Sequence, residues 1–295
     1  MPNKCVAIIL NYMDYEQSLV CARQVLSCES VDYAVVVDNA SPNESFDELK
    51  KHASNSLQVI KTDHNGGYGF GNNYGARYAI DKLCADFLLI LNPDVYIEEP
   101  AVRGCIEALL AHDDLGLVSP EVKDTSDIPL DNQGWKVPNI YDEMRLMSAV
   151  AIKLLGDSTC YDKPIITDGL QYVGCVSGAC LMYKASAFKA SGGYDEEAFL
   201  YNEESMMGFK LKRLGIKTAI VLGIYYVHEH SGTISQVLKL EQKLIEKNKS
   251  RDIYVYKYLK PNAWQSLFYK LVKFLSFFDR KLIILKRVLI NKDRW

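Results

Sequence analysis

The sequence predicts an α/β fold in which a mostly parallel sheet carries helices on both faces. Over roughly the first 100 residues, short apolar runs alternate with helical patterns, as they do when strands of a parallel sheet are joined by helices. The runs are uninterrupted, which is typical of strands that are buried on both faces. They are Val6–Leu10, Tyr33–Val37, Leu57–Ile60 and Phe87–Leu91.

Polar residues follow these runs at the points where the strands should end. Asn11 follows the first run, Asp38 and Asn39 follow the second, and Asn92 precedes Asp94 after the fourth. One such residue after a strand is usually part of a turn. Because the carboxyl ends of strands in an open α/β sheet meet at one crevice, several in succession favour a shared ligand site.

Asp94 is the first candidate for a chemical role. Pro93 cannot donate a hydrogen bond to a strand ladder, so the strand Phe87–Leu91 should end before it and leave Asp94 at its carboxyl end. A carboxylate in that position is a good ligand for a hard divalent cation, which in turn can neutralise a diphosphate. A plain turn after the strand is the alternative interpretation.

A glycine-rich stretch over 65–73 precedes a helix that we expect from Tyr74 to Leu83. It lacks the third glycine of the G-x-G-x-x-G pattern and follows the third strand rather than the first, so it does not favour a dinucleotide site. A P-loop motif is also absent from the sequence. Closely spaced glycines still allow backbone N–H groups at a helix start to approach an anion.

The second half of the chain is less regular. We interpret Val122 to Asp168 as a variable insertion, not a domain, with a possible helix from Tyr141 to Leu155. Order returns at Tyr172 to Tyr183, where the small residues Gly178 and Ala179 interrupt an apolar strand and permit close approach of a ligand or another backbone.

Two further groups of polar residues follow that strand. Glu203 and Glu204 precede a helical pattern, so they either complement the helix dipole or include a general base. A strand from Thr218 to Val227 ends at His228, with Glu229 and a second histidine behind it. Such a group can bind metal, although a single histidine in this position is more often structural.

Composition narrows the class of protein. The chain has 295 residues, of which 48% are hydrophobic, and a net charge of −3, so bulk charge does not favour nucleic acid as a partner. Its eight cysteines form no Cys-x-x-Cys pair, which argues against zinc and is consistent with a reducing cytoplasm. Neither a signal peptide nor an apolar run of about 18 residues is visible.

The C-terminal segment differs from the rest in charge. From Lys260 to Trp295 there are nine Lys and Arg against two Asp, a local net of +7. Apolar residues recur there at spacings of three and four, as on one face of a helix: Phe268, Leu271, Leu275, Phe278, Leu282, Leu285 and Leu289. We expect residues 264–295 to lie on an anionic membrane surface. Packing on the catalytic domain, or self-association as a coiled coil, are the alternatives.

Seven motifs in order resemble those of a known family. They are Val37–Ser41, Asn65–Asn73, Leu91–Val95, Ser177–Ala179, Gly192–Glu196, Phe199–Glu204 and His228. Together they resemble the inverting glycosyltransferases of the large family that includes bacterial rhamnosyltransferases and polysaccharide sugar transferases. The resemblance covers roughly residues 4–255 and implies a GT-A fold. We therefore expect a catalytic domain over 1–258 and a basic amphipathic helical region over 259–295.

The resemblance implies a role for each matching residue. Asp38 would hydrogen-bond the base of a nucleotide-sugar, beside Asn39. Asp94 would hold Mn or Mg on the donor diphosphate as part of an N-P-D variant of the metal-binding D-x-D, and His228 would complete the metal shell or contact phosphate. The acidic pair falls on Glu203 and Glu204, and Glu204 inherits the role of general base. The remaining donor contacts would be Asn11, Asn65, Gly66, Asn72, Asn92, Gly178 and Ala179.

Two departures from the family pattern leave an alternative open. Glu204 stands where the family usually has an aspartate, and Met206 stands where many relatives have a further acidic residue. The chain could therefore be a degenerate transferase that acts as a nucleotide-binding or scaffold partner in a membrane glycan complex. A sugar-phosphate nucleotidyltransferase is a weaker alternative, because Leu10–Asp14 lacks the glycine-rich basic loop of that class.

The resemblance also implies substrates and a location. The donor would be a UDP- or dTDP-activated hexose or rhamnose. The acceptor would be a glycan or lipid-linked glycan of a bacterial surface polysaccharide. The enzyme would then lie in the cytoplasm on the inner face of the plasma membrane, with a homo-oligomer as a further option.

Overall fold

The computed structural model describes residues 3–126, 128–130, 133–229 and 240–276, with the backbone alone at 240 and 241. The strands are β1 Cys5–Asn11, β2 Tyr33–Asp38, β3 Leu57–Lys61, β4 Phe87–Leu91, β5 Val95–Ile97, β6 Leu115–Lys123, β7 Gly134–Trp135, β8 Ile165–Thr167, β9 Leu170–Val173, β10 Cys175–Val176, β11 Cys180–Lys184 and β12 Lys217–His228. The helices are α1 Tyr15–Val25, α2 Ser45–Lys50, α3 Gly67–Leu83, α4 Glu99–Ala111, α5 Ile140–Met147, α6 Ala149–Leu155, α7 Ala185–Ser191, α8 Glu203–Arg213 and α9 Leu240–Ile253, followed by a π-helix Tyr254–Leu259. A last helix, α10, covers 263–276.

One ten-stranded sheet organises the chain, in the order β3-β2-β1-β4-β11-β6-β12-β9-β8, with β5 paired to β12. The strands β1 to β4 are parallel, as the alternating pattern predicts. Strand β11 enters between β4 and β6 and is antiparallel to both. Strands β5, β9 and β11 run against the common direction of the other seven. The expected large, mostly parallel sheet with flanking helices is confirmed.

The central strands are buried on both faces, which explains their uninterrupted apolar runs. Every residue of β4 is buried. Alternate side chains of β1 enter different apolar layers: Ile9 packs in a layer that includes residues of α1 and α4, while Ile8 packs in one that includes residues of α3, α7 and α8. Because successive side chains of a strand point to opposite faces of the sheet, one apolar run contributes side chains to both layers.

Helix α3 begins at Gly67, so the prediction of a glycine-rich loop followed by a helix from Tyr74 is wrong. The glycines form the first turns of the helix. A Cβ at Gly71 would lie 2.3 Å from the side chain of Leu10, and one at Gly75 would lie 2.7 Å from that of Ile8. These glycines therefore allow α3 to lie close against β1, a reason that the local sequence pattern does not reveal.

The segment predicted as an insertion is tied to the sheet by short strands. Strand β8 pairs with β9 at the edge of the ten-stranded sheet, whereas β7 pairs with β10 in a separate two-stranded sheet. The single helix expected from Tyr141 to Leu155 is instead α5 and α6, which are separated at Ser148. The Ser148 backbone is extended, and its hydroxyl accepts a hydrogen bond from the Ala151 N–H, so this residue caps the second helix.

The C-terminal helices pack on α5. The guanidinium of Arg251 in α9 donates to the carboxylate of Glu143 at 2.7 Å, and both side chains are buried. Tyr269 of α10 is buried with Met144 and Val255, while its hydroxyl donates to Asp252 at 2.8 Å. The opposite face of α10 exposes large apolar side chains, namely Trp264, Leu267, Phe268, Leu271, Phe274 and Leu275.

The predicted amphipathic face extends beyond the last described residue, Ser276. Phe278, Leu282, Leu285 and Leu289 lie outside the described residues. In the part of the chain that the structure describes, the helices are all too short or too polar to cross a bilayer.

Candidate active site

The carboxyl ends of β1 and β2 carry a buried hydrogen-bond network. The Asn11 side-chain amide donates to Asp38 Oδ2 at 2.8 Å, and the Ser41 backbone N–H donates to Asp38 Oδ1 at 3.0 Å. The Ser41 hydroxyl in turn accepts from the Met13 backbone N–H at 2.9 Å. Met13 and Ala40 both have positive φ, of 66° and 52°, a conformation that costs non-glycine residues energy and often occurs at functional sites.

A second network joins the end of β2 to the start of α3. The Asn39 side-chain amide donates to Asn65 Oδ1 at 2.9 Å and to the Gly67 carbonyl at 3.1 Å. Asn65 Oδ1 also accepts from the Gly67 backbone N–H at 3.0 Å. Thr62 completes the network, because its hydroxyl donates to Asn39 Oδ1 at 3.2 Å. The structure thus brings together two predicted donor contacts, Asn39 and Asn65, beside Gly66, the residue that precedes α3.

Asn72 lies apart from that network. Its side chain is fully buried within α3, where the amide donates to the Tyr68 carbonyl one turn earlier at 3.1 Å. Its Oδ1 has no hydrogen-bond partner among the described residues. The predicted contact between Asn72 and a donor therefore remains a prediction, and the structure gives this side chain a place inside the helix packing.

Asp94 and His228 form the candidate metal site. His228 Nε2 lies 3.2 Å from Asp94 Oδ1, and the two side chains are mostly buried. Among the described residues, no group of three His, Cys, Asp or Glu side chains is placed to hold a metal ion. A site that uses a substrate diphosphate needs fewer, because Mg²⁺ is commonly held by one or two carboxylates together with phosphate oxygens and water. The Asp94 and His228 pair fits such a site.

Glu203 and Glu204 open helix α8 after a strained turn. Tyr201 and Asn202, which precede them, have φ of 76° and 65°. Glu203 is buried and its Oε1 has no hydrogen-bond partner in the part of the chain described. Burial, followed by the charge of Glu204, raises the pKa of Glu203 to about 8. Burial likewise raises the pKa of Glu204, while hydrogen bonds to the backbone at Glu204 and Gly178 oppose that shift.

Gly178 and Ala179 connect the two halves of the site. The Ala179 carbonyl accepts a hydrogen bond from the Asn92 N–H at 2.9 Å, which places this turn beside the carboxyl end of β4. A Cβ at Gly178 would lie 2.8 Å from Glu204 Oε1, so the absence of a side chain there leaves room for the carboxylate. A small cavity next to the glutamates is lined by Gly178, Tyr68 and Tyr183, among others.

Sequence reasoning missed three polar groups in these networks. Ser41 has a visible signal, because aspartate side chains commonly accept hydrogen bonds from backbone N–H groups a few residues later in the chain. Thr62 has no such signal, since its contacts with Asn39 depend on strand pairing. Tyr68 lies within the quoted glycine-rich motif, yet its hydroxyl bonds the Gly178 carbonyl, 110 positions later, at 2.9 Å.

Several solved glycosyltransferase structures share this fold. GalNAc-T7 with UDP, GalNAc and Mn2+ matches with a TM-score of 0.60 at 15% identity, over 77% of this chain and 44% of that one. TarS of S. aureus with UDP-GlcNAc matches with a TM-score of 0.56 at 13% identity, over 89% of this chain and 69% of that one. A mannosyltransferase from Pyrobaculum calidifontis with GDP-Man and Mn2+ matches with a TM-score of 0.54 at 14% identity, over 97% of this chain and 80% of that one. The expected GT-A fold is confirmed.

Two curated relatives and a family model agree with this fold. The low-salt glycan biosynthesis hexosyltransferase Agl10 of Haloferax volcanii is 27% identical over 62% of this chain and 54% of its own length, so the chain spans about half of that relative. The N-acetylglucosaminyl-diphospho-decaprenol L-rhamnosyltransferase of Mycobacterium tuberculosis is 24% identical over 69% of this chain and 68% of its own length. The model of glycosyl transferase family 2 matches residues 10–190. The chain belongs to glycosyl transferase family 2.

Proposed function

We propose that this protein is an inverting glycosyltransferase that moves a sugar from a nucleotide-diphosphate sugar to a glycan or lipid-linked glycan. One observation carries the proposal. The turn at Gly178 and Ala179 lies against both Asn92, at the end of β4, and the carboxylate of Glu204. The contacts of this turn support a site in which the candidate base and the candidate diphosphate ligands act together at the carboxyl ends of the strands, where ligands bind in such sheets.

Glu204 is our candidate for the general base. Inversion needs one group that takes the proton of the acceptor hydroxyl as its oxygen attacks the anomeric carbon. The Glu204 carboxylate lies against Gly178, next to the end of β4, whereas Glu203 Oε1 is buried without a hydrogen-bond partner among the described residues, so we assign the base to Glu204. The raised pKa of Glu204 makes its carboxylate a stronger base once the proton has left.

Asp94 and His228 are the candidate ligands of a divalent metal. When bound, Mn or Mg supplies charge neutralisation for the leaving diphosphate. Asp94 would contribute a carboxylate oxygen and His228 a ring nitrogen, with the diphosphate providing further oxygens. Asn11, Asp38, Asn39 and Asn65 would hold the nucleoside in the networks at the ends of β1 and β2, with Gly66 beside them.

The donor and acceptor classes follow from the relatives. One relative is named as a hexosyltransferase and another as a rhamnosyltransferase that acts on a diphospho-decaprenol glycan. We therefore propose UDP- or dTDP-activated hexoses or rhamnose as donors and a lipid-linked glycan as acceptor, in surface polysaccharide synthesis. The exposed apolar face of α10, with the basic residues after it in the sequence, supports docking at the cytoplasmic surface of the plasma membrane.

A nucleotide-sugar panel tests the proposed activity. Thermal shift with UDP-, dTDP- and GDP-sugars, each with and without Mn, would identify the donor by its stabilisation of the fold. Release of the nucleoside diphosphate with that donor would then report turnover, and the anomeric configuration of the product, measured by NMR, would report inversion. Retention of configuration would contradict the proposed mechanism.

A catalytically inert, nucleotide-binding partner is the second candidate function. The departures from the family pattern at Glu204 and Met206 motivate it. Met206, however, is buried in an apolar cluster with Ala198 and Tyr254, so a methionine is well accommodated there. Binding of UDP or dTDP without any release of nucleotide from the matching donor, with or without acceptor, would favour this second function.

A further inference from the structure

We propose that Tyr68 is a positioning residue for the general base, because its hydroxyl holds the Gly178 peptide in place against the Glu204 carboxylate. This inference rests on the proposed role of Glu204. Tyr68 Oη donates to the Gly178 carbonyl at 2.9 Å. The α-carbon of the same residue faces Glu204, since a Cβ placed there would lie 2.8 Å from Glu204 Oε1.

Tyr68 is itself held firmly at both ends. Its backbone N–H donates to the Phe199 carbonyl at 2.9 Å, in the loop that leads to the glutamates. The close approach depends on the preceding Gly67, which has φ of 90° and whose Cβ would lie 2.0 Å from the Phe199 carbonyl oxygen. The Tyr68 ring meets the ring of Tyr194 edge-on, with centroids 5.7 Å apart. The tyrosine side chain therefore connects α3 to the turn at Gly178 in a fixed orientation.

The residues on both sides of Gly178 are held by backbone hydrogen bonds. The Ser177 N–H donates to the Gln133 carbonyl at 3.0 Å, and the Ala179 carbonyl accepts from the Asn92 N–H at 2.9 Å. The Tyr68 hydroxyl thus holds the central peptide of a turn whose neighbours are fixed by backbone bonds. Without that hydroxyl, the Gly178 carbonyl would lose its bond and the peptide would be free to rotate.

Rotation of the peptide between Gly178 and Ala179 would also displace the Gly178 α-carbon and N–H, and so would change the environment of Glu204. A hydrogen bond to the backbone at Gly178 lowers the pKa of Glu204 against the effect of burial. The other titratable groups around Glu204 are a second carboxyl, three phenols, a thiol and an amine: Glu203, Tyr68, Tyr183, Tyr194, Cys175 and Lys247. Weakening the bond to Gly178 favours the protonated carboxyl, so the base would need a higher pH to act.

Tyr68→Phe tests the inference, with Tyr254→Phe as the matched control. Tyr254 Oη also donates to a backbone carbonyl, that of Pro138, at 2.7 Å, and its side chain is buried. For Tyr68→Phe we expect kcat to fall by about 10- to 100-fold, because small displacements of a reacting group have effects of that size. The acidic limb of the kcat profile should move to higher pH, while donor affinity, measured by calorimetry, stays within about twofold.

The outcomes distinguish a failure of the positioning role of Tyr68 from a failure of the proposed function. An unchanged pH profile and kcat in Tyr68→Phe, with activity abolished in Glu204→Gln, would overturn the positioning role and leave the base in place. Full activity in Glu204→Gln would instead overturn the proposed base. Equal losses in Tyr68→Phe and Tyr254→Phe would mean general destabilisation and would also contradict the inference. Gly178→Ala, which places a methyl against Glu204 Oε1, gives a second route to the same pH shift if Tyr68→Phe does not fold.

Discussion

Asp94 Oδ1 and His228 Nε2 lie 3.2 Å apart although 134 positions separate them in the chain. Backbone pairing brings them together. His228 is the register partner of Val95 in the pairing of β12 with β5, and the Glu229 N–H donates to the Asp94 carbonyl at 3.0 Å. The candidate metal site is thus built by strand pairing, so its two side chains are positioned by the fold rather than by flexible loops.

Asp94→Ala should abolish sugar transfer and leave the fold intact. Loss of a metal ligand removes several kcal/mol of transition-state stabilisation, so we expect turnover below detection. Calorimetry of UDP or dTDP with and without Mn gives a readout that does not depend on turnover: the Mn-dependent part of the affinity should disappear. Asp81→Ala, at an exposed position on α3, is the control. Near-normal turnover and Mn-dependent binding in Asp94→Ala would exclude Asp94 as a metal ligand.

Glu204→Gln should lose far more turnover than donor affinity. The amide keeps the shape of the side chain but cannot take a proton, and a general base typically contributes about 10²–10⁴-fold to the rate. Donor affinity by calorimetry and kcat from nucleotide release check this expectation. Glu203→Gln is the comparison, and a large loss of kcat in that variant alone would assign the base to Glu203.

Glu203 should make the stability of the fold fall as pH rises. Burial raises its pKa from the ordinary value of 4.5 to about 8 in the folded protein, so between these values the folded state keeps a proton that the unfolded state releases. Stability then decreases with pH by at most about 1.4 kcal/mol per unit over that window. Glu203→Gln should therefore raise Tm more at pH 8 than at pH 5. The control variant, Glu107→Gln at an exposed site, should show the same Tm difference from the parent protein at both pH values.

The buried ion pair of Glu143 and Arg251 should be sensitive to the loss of one partner. Burial raises the pKa of Glu143, and the adjacent Arg251 opposes that effect. Arg251→Ala leaves a buried carboxylate without its charge partner, which typically costs about 3–5 kcal/mol. Urea unfolding should show that loss, whereas Glu143→Leu with Arg251→Met should lose much less. A loss in the double variant as large as that in Arg251→Ala would contradict the explanation that the unpaired Glu143 carboxylate causes the loss.

The exposed face of α10 should bind anionic vesicles. Truncation near Lys260 would also remove the buried Tyr269 and the bond of Lys273 to Asp252, so substitution is the cleaner change. The triple variant Leu267→Ser, Phe268→Ser, Leu271→Ser should float less with anionic liposomes, because the apolar face drives interfacial binding. Val20→Ser with Leu110→Ser, both at exposed sites on other helices, is the control.

Two results would contradict membrane docking. Flotation of the triple variant equal to that of the parent would exclude the face of α10 as the contact. Flotation that does not depend on anionic lipid would exclude the basic residues, each of which is expected to add about 1 kcal/mol near such a surface. A change of mass in solution caused by the triple variant would favour self-association instead.

The strands and their polar ends could be predicted because both signals are local. Each apolar run is short, and a residue such as Asn11 or Asp38 ends it. The position of β11 could not be predicted, since nothing in Cys180–Lys184 indicates which strands it will join or in which direction. Pairing depends on residues far away in sequence, and the local pattern carries no information about them.

The glycine-rich motif shows that closely spaced glycines are compatible with two structures, a turn and a helix packed close to a strand. Glycines between elements usually mark a turn, and here they mark a helix that must lie close to a strand. The contact of Gly71 with Leu10 is one reason, and it becomes visible only with the fold. The motif predicts a donor pocket by resemblance but gives no role to Tyr68, because its partner Gly178 lies 110 positions later in the chain.

The insertion of β11 between β4 and β6 has a consequence for synthesis on the ribosome. Strands β1 to β4 are complete once residue 91 has emerged, but one edge of β4 stays unpaired until Cys180–Lys184 follows. An exposed, fully apolar strand edge is a template for pairing with other chains. The nascent protein therefore passes through a period of aggregation risk that ends only when β11 arrives, and the crevice beside β4 is completed in the same event.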